Sequence, residues 1–123
     1  MRFWERPKKE FVLPLLFDEN LNETARMRIR LFIKKGKLKD YTVQLEYKTK
    51  DEWYEVIRYN YAHGFAHRDV HSITGKKWKE ELGGSSDLSI FVQIGKKDIS
   101  ENFEEYIRNF ESGKRWKPRQ DMS

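Results

Sequence analysis

Every histidine of the chain falls in one short stretch, Arg58 to His71, which reads RYNYAHGFAHRDVH. Imidazole is the side chain that changes charge near neutrality, so His63, His67 and His71 beside Arg58, Arg68 and Asp69 are material for proton transfer. The spacing H-x-x-x-H-x-x-x-H would stack three metal ligands on one face of a helix. Gly64, between two strand-like segments, argues against a helix there, and no metal is expected. On an extended backbone His67, Asp69 and His71 share one face while Arg68 takes the other. Such a set suits cleavage of RNA by its own 2′-hydroxyl, which needs a base for that proton, an acid for the leaving 5′-oxygen and a cation for the crowded phosphate. His63 or His67 would serve as base or acid, Asp69 would fix a tautomer, and Arg58 or Arg68 would bind the phosphate, with no cofactor. The competing reading is a structural loop in which the histidines hydrogen-bond to backbone and Tyr59 and Tyr61 pack.

A second set lies earlier. Arg26, Arg28 and Arg30 alternate along RMRIRLF with Phe32 next on the same side. They span roughly 13 Å on a regular strand at about 3.3 Å per residue, a row that suits the phosphates of single-stranded RNA with Phe32 stacking on a base. The same arginines would otherwise pair with Glu46 and its neighbours across the sheet. The net charge of +5 is concentrated at the ends. Residues 1–9 hold Arg2, Arg6, Lys8 and Lys9 against Glu5, and residues 113–123 hold Lys114, Arg115, Lys117 and Arg119 against Asp121. Trp4 and Trp116 accompany them, so Lys114, Arg115 and Trp116 join the candidate RNA contacts, with solvated termini as the alternative.

The elements that must position these residues follow from periodicity. EFVLPLLF (residues 10–17) carries Pro14 and predicts an edge strand or extended lead-in. Residues 26–34 alternate strictly, with Met27, Ile29, Leu31 and Ile33 on one face. YTVQLEYK (41–48) alternates again, and WYEVIRYNYA (53–62) places Trp53, Ile57, Tyr59 and Tyr61 on one side and Tyr54, Val56, Arg58 and Asn60 on the other. Turns at Gly36 and at TKDE join the three into an antiparallel meander, and AHRDVHSITGKKWKEEL reads as a further hairpin turning at Thr74 and Gly75. Leu88, Val92, Gly95, Ile99, Phe103, Tyr106 and Phe110 step by three or four residues, which predicts one helix from about Asp87 to Glu111 despite a cost of about 1 kcal/mol for Gly95 against Ala. Asp98 and Glu101 would, alternatively, be a capping box opening a later helix. The expected fold class is α+β: a small twisted antiparallel sheet packed on one long C-terminal amphipathic helix, with residues 10–112 as a single domain between the arm 1–9 and the tail 113–123.

The chain of 123 residues contains no cysteine, which excludes disulfides, thiolate metal sites and cysteine nucleophiles and fits a reducing compartment. No apolar run approaches a membrane span and MRFWERPKKE lacks the apolar block of a signal peptide, so the expected location is cytoplasmic, without membrane partners.

EWYEVIRYNYAHGFAHRD, followed by a glycine turn and the helix DISENFEEYIRNF, resembles a group of small prokaryotic proteins with a tryptophan, then R-Y-D-x-x-H-G and H-x-D. It is similar, more distantly, to the TumE-type toxins of toxin–antitoxin systems. The resemblance covers roughly residues 53–110 and rests on Arg58, Tyr59, His63, Gly64, His67 and Asp69. It implies a toxin-type endoribonuclease silenced by a protein antitoxin, with Arg58, Tyr59, His63, His67 and Asp69 in the catalytic set, to which the chemistry of the histidine cluster adds Arg68 and His71. Asn60 stands where that pattern has aspartate, and an adjacent pair of histidines is absent. The other reading is a non-catalytic module that binds nucleic acid or protein and uses the histidines to build a loop.

Overall fold

A computed structural model describes residues 13–114. Six strands run in sequence order across one antiparallel sheet: β1 (Leu13–Asn20), β2 (Ala25–Lys34), β3 (Lys37–Thr49), β4 (Glu52–Ala62), β5 (Phe65–His71) and β6 (Lys77–Gly83), followed by one helix, α1 (Ser89–Ser112). The α+β class expected from periodicity is what forms, and the lead-in with Pro14 becomes the edge strand β1.

Three hairpins close with two residues each, and both residues have positive φ: Lys35–Gly36, Lys50–Asp51 and His63–Gly64. Turns of this kind match the right-handed twist of the strands they join. Lys50 and Asp51 adopt the left-handed region without glycine, while at the third turn His63 takes it at φ 55 and Gly64 at φ 83. β5 and β6 are joined instead by a loop in which Lys76 N–H donates to the Ser72 hydroxyl at 3.1 Å.

One sheet face is apolar and buried under α1. Met27 and Ile29, Tyr41, Val43 and Leu45, Ile57 and Tyr59 meet Phe91, Val92, Ile99, Tyr106, Ile107 and Phe110. Gly95 explains how closely helix and sheet approach, since a Cβ there would lie 3.0 Å from Tyr59 Cγ. Asp87 serves the helix start, its Oδ1 accepting Ser89 N–H at 3.1 Å, and Gly113 ends the helix in the left-handed conformation, as C-terminal glycines do. Asp98 lies inside α1, so the later-helix alternative with its capping box does not occur.

A register shift between β3 and β4 changes the alternation expected in β4. Leu45 faces Ile57 but Glu46 faces Glu55, which leaves Val56 as an extra residue. Trp53 and Glu55 are thereby turned to the face opposite Ile57 and Tyr59, and Tyr54 joins the helix side, its ring 5.9 Å from that of Phe110. Trp53 lies instead with the Arg26 guanidinium 3.8 Å above its ring, which corrects the expected grouping of Trp53 with Ile57. Among the described residues no helix is long and apolar enough to cross a membrane.

Candidate functional site

The face that α1 leaves uncovered is built from cross-strand rows. Arg30 stands opposite Thr42, Thr42 opposite Asn60 and Asn60 opposite His67. The next row runs Asp18, Arg28, Gln44, Arg58, Asp69 and Lys79. A third joins Arg26, Glu46 and Glu55. The alternation of β5 places His67, Asp69 and His71 on this side, so candidates from three strands, β2, β4 and β5, share one polar surface.

His67 is 6% exposed, and its Nε2 lies 3.1 Å from the Ala62 carbonyl oxygen. A carbonyl only accepts, so Nε2 carries the proton and, in the neutral ring, Nδ1 is left with its lone pair. That Nδ1 is buried and, among the described residues, unpartnered, as is Oδ1 of Asp69. Asn60 Nδ2 donates to the other Asp69 oxygen at 3.4 Å. The Ala62 contact also brings the His67 ring to the hairpin end of the sheet, where the exposed His63 forms the turn.

His71 is roughly 13 Å farther along the strand from His67, at about 3.3 Å per residue. Its Nε2 is 2.6 Å from Glu55 Oε2, and Arg58 Nε is 3.2 Å from Glu55 Oε1. The contact with His71, aided by the charges of Arg58 and Lys77, holds the Glu55 carboxyl below its ordinary range against the opposing effect of burial. Glu55 was not a candidate from sequence, because simple alternation through β4 assigns it to the core face. Only the register shift beside Val56 reverses it.

The arginine row is unevenly occupied. Arg26 Nε lies 2.6 Å from Glu46 Oε1, and Arg28 lies 3.1 Å from Asp18 and 3.8 Å from Glu46. Cross-strand pairing therefore takes two of the three. Nη1 of Arg30 is buried with no hydrogen-bond partner among the described residues. Phe32 follows Arg30 on β2, partly buried, opposite Pro14 and Asp40.

Tyr59 and Arg68 do not reach this surface. Both lie under α1, where Arg68 Nη1 donates to the Tyr106 hydroxyl at 2.7 Å and lies 3.6 Å from Asp98, and Nη2 is 3.2 Å from Glu80. The Tyr59 and Tyr106 hydroxyls both donate to Asp98 Oδ2, and Asn102 donates to Oδ1 at 2.8 Å. Burial first, followed by Asp98 at Tyr59 and by Tyr59 and then Asp98 at Tyr106, raises both phenols well above their usual range, so each remains a donor. Burial works against the Arg68 charge, but Tyr106, Tyr59, Glu80 and Asp98 outweigh it and raise its pKa. These two candidates hold the helix to the sheet and sit on the far side from His67 and Asp69.

Lys114 follows the helix and lines a groove with Arg108, Asn109, Glu111 and Ser112. Arg115, Trp116 and the basic arm 1–9 lie outside the described residues. No group of three or more histidine, aspartate or glutamate side chains that could hold a metal ion occurs among the described residues.

No curated protein and no solved structure matches the chain. Residues 6–116, nearly the whole sequence and all of the sheet and helix, match one family, and the chain therefore belongs to the family described as a domain of unknown function, DUF7718.

Proposed function

We propose that the protein is an RNA-directed, toxin-type endoribonuclease that acts in the cytoplasm by metal-independent acid–base chemistry on the helix-free sheet face. The observation that carries this reading is His67: its Nε2 proton is committed to the Ala62 carbonyl, and its Nδ1 is left as a base beside Asp69. His63 stands at the same hairpin end as the second imidazole, to protonate the leaving 5′-oxygen. Arg58, directly opposite Asp69 and paired with Glu55 at 3.2 Å, is the cation assigned to the phosphate, which it would take in exchange for that carboxylate. Tyr59 and Arg68 take no direct part. The resemblance to toxins supplies the remaining element, a protein antitoxin that would cover this face.

The test is single-turnover cleavage of labelled single-stranded RNA between pH 5 and 8, with and without chelator. Cleavage should persist in chelator and give a bell-shaped profile, since both groups are histidines. His67→Ala should lower the rate roughly 10²- to 10⁴-fold. His63→Asn should do the same while keeping the fold, because asparagine tolerates the left-handed turn position. Full activity in the folded double variant, or activity lost to chelator and restored by zinc, would rule the mechanism out.

A second reading has its own support. His63 already has a structural task in the turn, as expected of a binding module whose histidines only build the hairpin. RNA bound but never cut would select it.

A further inference from the structure

We infer that single-stranded RNA crosses the strands along the row Arg30, Thr42, Asn60 and His67, with Arg30 as its phosphate anchor, instead of running along β2 over three arginines. The inference rests on the proposed RNA-directed function and names how the substrate is held.

Charge decides the route. Along β2, Arg26 and Arg28 face carboxylates at 2.6 and 3.1 Å, so a phosphate arriving there would have to displace Glu46 or Asp18 and leave that carboxylate beside it. Arg30 faces Thr42, which has no charge, and its buried Nη1 has no partner among the described residues. Between β2 and β5 the row from Arg30 to His67 contains no carboxylate, its continuation on β6 being Glu81, whereas over the same strands the parallel rows contain Asp69, or Glu46 and Glu55. An anionic strand that ends at His67 therefore meets no carboxylate within its own row.

Length and chemistry agree with the charge. Three strand spacings of about 4.8 Å place Arg30 roughly 14 Å from His67, far enough for a phosphate held by Arg30 to be separate from the one being cleaved at His67. Between them Thr42 offers a hydroxyl and Asn60 an amide, both partly exposed. Each can donate to or accept from a 2′-hydroxyl, the group that distinguishes RNA from DNA. At the far end the unpartnered His67 Nδ1 and Asp69 Oδ1 are two buried acceptors without a donor, a deficit that a ribose hydroxyl relieves.

The experiment measures binding of a labelled single-stranded RNA, and of DNA of the same sequence, over a range of salt concentrations in the His67→Ala background, so that the RNA stays intact. Arg30→Gln should weaken binding and reduce the slope of log K against log salt by about one, the signature of one lost phosphate contact. Arg30→Lys should restore the slope, and Arg26→Gln and Arg28→Gln should leave it unchanged. Thr42→Val should reduce the preference for RNA over DNA. Thermal melting checks the fold of each variant. If the parent protein binds and wild type cuts RNA, but the slope falls in Arg26→Gln or Arg28→Gln and not in Arg30→Gln, the route is wrong and the proposed function stands. If no RNA is bound by the parent and none is cut by wild type, both fall together.

Discussion

Arg68 keeps its charge at 1% side-chain exposure, where an ion without partners would cost several kcal/mol. It does so because Glu80, Asp98 and the Tyr106 hydroxyl surround its terminal nitrogens. Removing one member of such a group leaves the others buried and unpaired, so Arg68→Met should destabilise the protein by about 3–5 kcal/mol, read as a lower urea midpoint. The single-turnover rate of the protein that remains folded should fall far less than in His67→Ala. An Arg68→Met variant that is fully stable but inactive would return Arg68 to the role of phosphate ligand that composition alone suggests. Adjacent positions on β5 thus do opposite work: Arg68 anchors the helix, and His67 and Asp69 face the surface proposed for RNA. The alternation that separates them is legible in AHRDVH. The environment of each is not, because the partners Glu80, Asp98 and Tyr106 come from β6 and α1.

At the scale of elements, the helix shows what a pattern carries and what it omits. The three-to-four spacing from Leu88 to Phe110 places α1 to within about two residues of its ends, yet propensity marks Gly95 only as a cost of about 1 kcal/mol. Its packing supplies the reason for the glycine, because any Cβ would press on the Tyr59 ring at 3.0–3.3 Å. Gly95→Ala therefore sets a helix-propensity gain of about 1 kcal/mol against overpacking of typically about 1–3 kcal/mol, and should destabilise. Urea denaturation would measure it, and a more stable Gly95→Ala protein would show that Tyr59 yields freely. The strands were legible for the same reason as the helix, since Met27, Ile29, Val43 and Leu45 repeat with period two. The exception is β4, where one extra residue at Val56 reverses Trp53 and Glu55. No residue type in WYEVIRYN announces that shift, which arises from pairing with β3.

Across the whole molecule, the sheet divides two kinds of polar network, one sealed by α1 and one left on the open face, and their responses to pH should differ. The histidines and Asp69 of the open face were legible as a cluster because their spacing is local. Glu46 was legible as a cross-strand partner of the arginines, whereas Glu55 was not, because it reaches this face only through the register shift between β3 and β4. Glu55 links this face to stability. Its carboxyl is held below the ordinary value of 4.5 mainly by the contact with His71, so it binds protons less readily folded than unfolded. The sign follows from linkage: its contribution is fully present above about pH 4.5 and is lost as pH falls through the lower folded value. Thermal melts of wild type and Glu55→Gln should therefore lie farthest apart above pH 4.5 and converge as pH falls below it. Melting curves separated by a constant interval from pH 3 to pH 7 would show that ionisation of Glu55 does not contribute. The bell-shaped cleavage profile expected between about pH 5 and 8 lies above that window, so loss of rate on its acidic limb should occur in protein that is still folded, and circular dichroism at each pH would verify it.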